Sequence, residues 1–181
     1  MLGEVLPLLT AFALLVMGLW MRWPTVGYDG APTQDAYNQF AFDRFAYSDI
    51  ASLYFRDGLQ DHPRPYFDYP LEYPVGLGFL IYLLNSATNT MPQYFLLTSL
   101  WMCVSALLIA ALVPAFPRGR ILLFALSPAL ALYVNLNWDM WGLLLMVVAL
   151  LLFVRERDIP ATAVLTLAVW TKFSRSCSCP F

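Results

Sequence analysis

Charge is what this chain has least of. Asp, Glu, Lys and Arg make up 12% of its 181 residues, about half the share usual in a soluble domain. Between Tyr73 and Pro117 none of them appears, a gap of 45 residues, longer than a soluble core helix needs and suited to lipid. A basic excess is missing too. The net charge is −2 and the pI near 5.2, which excludes a nucleic-acid partner, because no basic patch exists to meet a phosphate backbone. Cysteine is scarce: Cys103 lies inside an apolar run, and Cys177 and Cys179 fall in the last five residues, which supplies neither a disulfide framework nor a zinc site. What is abundant is apolar. Hydrophobic residues make up 60% of the chain, with six Trp, ten Tyr and thirteen Phe, a composition fit for anchoring at two membrane interfaces.

The apolar runs predict an all-α, polytopic membrane protein with about five transmembrane helices in a single membrane domain, 1–181. The first span covers 17 uncharged residues, 5–21, closed by Trp20, Arg22 and Trp23, short but enough for a tilted crossing. It lacks the basic leader and small-residue cleavage site of a signal peptide, so a retained anchor is expected. Further apolar stretches run 71–84, 94–113, 121–138, 140–154 and 159–171. Arginine placement sets the threading, since Lys and Arg in short loops favour the cytoplasm. If 71–84 spans, Arg118 with Arg120 and Arg155 with Arg157 all fall outside. If it lies in or dips into the outer leaflet, as a run of about 10–14 apolar residues more often does, both pairs become cytoplasmic. The second threading is expected. It makes 22–93 an extracytoplasmic loop with a shallow interfacial helix, and it places Asp49, Asp68, Glu72, Asn135, Asn137, Asp139 and Lys172 on one outer side.

That loop is acidic and aromatic. Over 22–74 it carries Asp29, Asp35, Asp43, Asp49, Asp57, Asp61, Asp68 and Glu72 against Arg22, Arg44, Arg56 and Arg64, too aromatic for a disordered linker. Ser48 is placed to cap a helix starting at Asp49, with Ile50, Leu53 and Tyr54 on one apolar face and an end near Gly58. Pro63, Pro65, Pro70 and Pro74 predict an extended, stiff strip holding Tyr66, Tyr69 and Tyr73. Aromatic faces stack on sugar rings and carboxylates accept hydroxyl protons, so the loop is a plausible sugar site.

The segments Asp49-Ile-Ala-Ser-Leu-Tyr54, Arg56-Asp-Gly-Leu59, Pro65-Tyr66 and Tyr69-Pro-Leu-Glu-Tyr-Pro74 resemble the first outer loop of bacterial polyprenyl-phosphate-dependent glycosyltransferases of the GT-C superfamily, in particular the mannosyltransferase-like membrane proteins. Pro128 with Asn135 to Asp139, Arg155 to Asp158, and Thr171-Lys172-Phe173 are similar to that group's spacing, so the resemblance covers most of the chain. It implies a multi-pass cell-membrane enzyme, active on the extracytoplasmic side. Such an enzyme would transfer a sugar, such as mannose, with inversion from a polyprenyl-phosphate donor to a glycan or glycolipid acceptor. On that reading Asp49 is the catalytic base. Lys172 and Arg56 bind the donor phosphate, with His62 a weaker candidate. Asp68, Glu72, Tyr69, Tyr73, Asn135 and Asp139 bind sugar or assist a divalent metal (Mg or Mn), the cofactor such a site could take. The residues also admit plainer roles. Asp49 can complement a helix dipole, Lys172 can snorkel to an interface, and His62 can be a solvated loop residue. Asn135, Asn137 and Asp139 can simply turn the chain, and Met102 and Cys103 read as packing residues. The competing function is a non-enzymatic membrane protein, an assembly partner or transporter fragment, although few charges in the spans speak against an ion-coupled transporter.

The run 159–171 stops after 13 residues, and 174–181 continues with polar and cysteine residues. The expectation is a truncated chain with an aberrant tail. Codons exist for 173–181 that, shifted by one added T, read Phe-Leu-Pro-Leu-Val-Leu-Leu-Pro-Phe, an apolar completion of the helix; resequencing the locus decides this. For the threading, single cysteines placed at positions 60, 119, 137 and 156 in a cysteine-free background should react with an impermeant maleimide from outside at 60 and 137 only. Labelling at 119 in intact cells would overturn it.

Overall fold

The computed structural model describes residues 2–115 and 121–172, and all of them fall into helices, turns and loops without a strand. Arg118, Arg120, the tail 173–181 and the side chain of Lys172 lie outside the described residues. Ten helices follow in order. They are α1 (Leu2–Met21), α2 (Trp23–Val26), α3 (Gln34–Asp43), α4 (Asp49–Arg56), α5 (Val75–Ser86), α6 (Met91–Leu112), α7 (Ile121–Ala125), α8 (Ala129–Tyr133), α9 (Asp139–Val154) and α10 (Asp158–Lys172).

One of these is long and apolar enough to cross a membrane: Met91–Ala115, which is α6 with the turn after it. Its start is written locally. The Thr90 side chain accepts a hydrogen bond from the Gln93 amide, satisfying a donor the first turn leaves open, and the Gln93 side chain accepts one from the Asn89 amide just before the cap. Along α6, Tyr94, Phe95, Met102, Ala106 and Ile109 are buried and form the spine against which α1, α4 and α9 pack. The segments 5–21, Val75–Ser86, Asp139–Val154 and 158–171 form shorter apolar helices. The shallow helix expected over 71–84 begins at Val75, since Pro74 holds the N-cap position with extended backbone.

Two expectations change. The run 121–138 is not one helix. It breaks at Ser127-Pro128 into α7 and α8, and 134–138 is turn, because proline has no amide to continue the ladder and its ring crowds the preceding turn. The strip 63–74 is not extended throughout. Residues 65–69 fold back on themselves, with the Tyr66 amide donating to the Tyr69 carbonyl at 3.0 Å and Tyr66 at φ 68°, and the Tyr66 hydroxyl then donates to the Tyr73 carbonyl at 2.7 Å.

Two contacts bind the amino-terminal part to α8. Gly18 lies so close to Ala131 that an added Cβ would stand 2.4 Å from its carbonyl oxygen. Arg22, at the end of α1, is buried. Its guanidinium donates to the carbonyls of Tyr47 (3.3 Å), Gly18 (3.5 Å) and Ala131 (3.3 Å), and also to that of Leu132. Burial pulls its pKa below the ordinary arginine value, and the ring of carbonyls compensates the charge. Gly18→Ala should therefore destabilise by about 1–3 kcal/mol through backbone overpacking. Arg22→Met should cost about 1–3 kcal/mol by stranding buried carbonyls. Thermal unfolding in detergent, followed by tryptophan fluorescence, checks both, and an unmoved midpoint for either would mean that contact holds nothing.

Candidate functional site

The acidic loop meets the α8–α9 turn at one point. The Ser48 hydroxyl donates to the Asn135 carbonyl at 2.8 Å, and the Asp49 amide donates to the Leu136 carbonyl at 2.8 Å. Ser48 stands at the N-cap position of α4, but its side chain makes no cap bond, because the hydroxyl is used to reach the other segment. The α4 start is thereby anchored at its first residue. The Asp49 carboxylate is half-buried, and its Oδ1 accepts from the Tyr47 hydroxyl at 2.8 Å. The Tyr47 phenol is raised above its ordinary pKa, first by burial and then by that bond to a carboxylate.

Asp139, the first residue of α9, is half-buried; its Oδ2 accepts from Asn137 Nδ2 at 3.2 Å, and its backbone amide donates to Asn137 Oδ1 at 3.1 Å. Tyr73 lies within reach of both charges. Its ring lies 5.7 Å from that of Trp138. Its phenol is pushed up to about 12, chiefly by burial and then by the charges of Asp49, Glu72 and Asp139, with Arg56 opposing. Five groups that the sequence reading singled out, Asp49, Arg56, Glu72, Tyr73 and Asp139, thus share one electrostatic neighbourhood. Arg56 is already engaged: Nε donates to Asp57 at 2.6 Å, Nη2 donates to Asp57 at 3.2 Å, and Nη1 pairs with the exposed Glu72. Tyr69 is raised to about 12, by burial and then by Asp57, and so borders the same group.

The helix ends converge here as well. Gly76, early in α5, sits against the backbone of Trp170 near the end of α10, where a Cβ would meet the Trp170 carbonyl at 2.8 Å. Helices α9 and α10 form a tight hairpin, so the first turn of α9 and the last of α10 lie at the same end. An apolar groove of about 360 Å³ opens there, running from Asp139 past Gly142 and Met146 to Leu165 and Val169. Lys172 follows one turn after Ala168, at this end of α10.

Other candidates stand elsewhere. The Asp68 carboxylate takes the Arg64 amide at 2.7 Å and its guanidinium at 3.3 Å, which lowers its pKa, and no described interaction ties it to the cluster. His62 is an exposed turn residue at φ 51°. Asn135 is fully buried; its Oδ1 accepts from the Cys103 thiol at 3.6 Å, so it belongs to the wall. Sequence reasoning passed over Tyr47 and Trp138. Tyr47 sits two residues before Asp49 with no periodic signal, and Trp138 reads as one more apolar residue until its neighbour Asp139 is seen to start a helix. Among the described residues no three His, Cys, Asp or Glu side chains assemble to hold a metal. Each of the three carboxylates already holds one protein donor, Tyr47, Arg56 or Asn137, and they do not gather as a metal-holding set, so the donors do not fit a resident Mg or Mn.

No protein-family model matches the chain, and no curated protein or solved structure matches it.

The placement of Tyr73 has a pH consequence. Its folded pKa lies above the unfolded value near 10, so the folded state holds the proton longer. Stability from this group is complete below pH 10 and is lost as pH rises toward about 12. Asp49→Asn removes a negative charge beside the phenol and should move its titration down, read by NMR of tyrosine labelled at Cζ. An unchanged Tyr73 titration in both Asp49→Asn and Asp139→Asn would show that the carboxylates do not face it.

Proposed function

We propose that this chain is a membrane glycosyltransferase, or the amino-terminal part of one, of the GT-C kind. It would cross the membrane about five times and use a polyprenyl-phosphate sugar on the extracytoplasmic side. One observation carries the reading: Asp49, fixed at its backbone by Leu136 and at Oδ1 by Tyr47, stands in one neighbourhood with Tyr73, Asp139, Glu72 and Arg56. An inverting transfer needs a carboxylate that is held in place yet keeps an oxygen for the acceptor. Asp49 has no second partner on Oδ2 among the described residues.

The steps follow from that geometry. The acceptor hydroxyl gives its proton to Asp49 as its oxygen bonds the anomeric carbon from the face opposite the donor phosphate. The carbon–oxygen bond to phosphate breaks, and polyprenyl phosphate leaves with the electron pair. Aromatic faces at Tyr73 and Trp138 suit a sugar ring, and Asp139 and Glu72 suit its hydroxyls. The apolar groove beside Asp139 suits an isoprenoid chain, with Lys172 at the same end of α10 as the cation for the phosphate. Arg56 can join it by exchanging the exposed Glu72, a surface pair worth little. That same prior engagement of Arg56 favours the second reading, a non-enzymatic membrane protein in which the cluster only stiffens the loop.

The test is transfer of labelled sugar from a panel of polyprenyl-phosphate donors, with the chain in proteoliposomes. Asp49→Asn keeps shape but loses the base and should slow transfer about 100- to 10,000-fold. Asp43→Asn, an exposed acid of the same loop, should leave the rate unchanged. Transfer at nearly the parent rate by Asp49→Asn would remove the base assignment. No transfer and no retained polyprenyl phosphate across the panel would make the non-enzymatic reading the better one.

A further inference from the structure

Helix α3 ends in a way that works against the preferences of its own residues. The Ala46 amide donates to the Ala41 carbonyl at 2.8 Å and the Phe45 amide to the Phe42 carbonyl at 3.2 Å, the paired bonds of a Schellman turn. That turn needs a left-handed residue, normally glycine. Here it is Phe45, at φ 56° and 88% exposed. Glu156 occupies the same position after α9 at φ 58°, but a carboxylate at an exposed turn is at home in water. Among the described residues no ring contact or hydrogen bond of its side chain holds Phe45 in this turn, and such a local violation points to a contact outside the chain.

The surroundings identify what that is. Phe45 lines a groove of about 440 Å³ with Trp20, Met21, Trp23, Pro24 and Arg44. Trp20 is 73% and Trp23 54% exposed. Arg44 lies with its guanidinium carbon 4.1 Å over the Phe40 ring and donates to the Phe40 carbonyl; it pairs with no carboxylate among the described residues. Below the groove, Leu6, Leu9, Phe12, Val16 and Trp20 follow one another along α1, each more than half exposed, at the spacing of a single helix face. The site therefore reads, from the top down, as a cation, a ring of aromatics and a long apolar track.

We propose that this groove binds a glycerophospholipid of the bilayer. Arg44 takes the phosphodiester, Phe45, Trp20 and Trp23 enclose the glycerol and upper chain, and the acyl tail runs down α1. Charge complementarity and continuity with the apolar track argue for this occupant over a protein segment. The proposal rests on the membrane part of the reading above and not on its enzymatic part.

The test uses the full chain in nanodiscs containing phosphatidylglycerol with a diazirine near the glycerol, and maps the labelled peptides by mass spectrometry. Label should fall on 20–24 and 44–45. Arg44→Gln should reduce it about tenfold, the loss of one charge-assisted contact, and should leave labelling by a phosphate-free diacylglycerol unchanged. Phe45→Gly should reduce it as well, with a thermal midpoint equal to or above the parent's, because glycine adopts that φ without strain. A lower midpoint would make Phe45 a packing residue and overturn the proposal. So would equal labelling by both lipids, or displacement of the label by millimolar inorganic phosphate, which would mark a plain anion site. Label on α6 but none at the groove defeats this inference alone, whereas no label anywhere on the apolar helices defeats the membrane reading beneath it.

Discussion

The guanidinium of Arg22 is shared among carbonyl oxygens from three separate parts of the chain: its own helix at Gly18, the loop at Tyr47, and the end of α8 at Ala131 and Leu132. A buried cation without a carboxylate must gather dipoles, and the carboxyl end of a short helix offers them already aligned. Satisfying that one charge places residue 47 beside residue 131. Once the two segments meet there, the next residues along each can pair: Ser48 with Asn135, and Asp49 with Leu136. The rest of the acidic end depends on that register.

From this junction the chemistry of the site follows by proximity. Asp49 is delivered close to the start of α9, where Asp139 stands, and Tyr73, on the strip that leads into α5, lies within reach of both charges. Carboxylates gathered around a half-buried phenol repel one another, and the arrangement is held by donors on each: Tyr47 on Asp49, Arg56 on Glu72, Asn137 on Asp139. These donors fix the orientation of each acid. The buried Trp138 packs edge-on against Tyr73.

The same logic separates the two ends of the acidic loop. Where α4 meets the α8–α9 turn, Ser48, Asp49 and Asn137 each find a partner within the chain. Where α3 ends, Arg44 has no carboxylate partner among the described residues and Phe45 stands exposed in a strained turn. One end is built inward against the α8–α9 turn; the other is built outward. Both lie close to the end of α1, which marks the boundary between apolar helix and polar loop.

The sequence by itself determined the helical class, the long apolar α6, the start of α4 at Asp49 and, to within one residue, the starts of α9 and α10, because apolar periodicity, caps and charge gaps act over a few neighbouring residues. It also pointed to Asp49, Arg56, Glu72, Tyr73 and Asp139, since acids and aromatics stand out in a chain so poor in charge. It did not reveal the break at Pro128 in an unbroken apolar run, the folding back of 65–69, or the separation of Asp68 and His62 from the others. Tyr47 as the partner of Asp49, and Arg22 as a buried staple instead of an interfacial residue, were decided only by the tertiary structure. The Tyr47–Asp49 bond spans only two residues but is set where Ser48 and Asp49 pair with Asn135 and Leu136, and the Arg22 staple joins segments 25 to 110 residues apart. A hydrogen bond of that kind leaves no local pattern in the sequence, because its partner is chosen by how the helices pack.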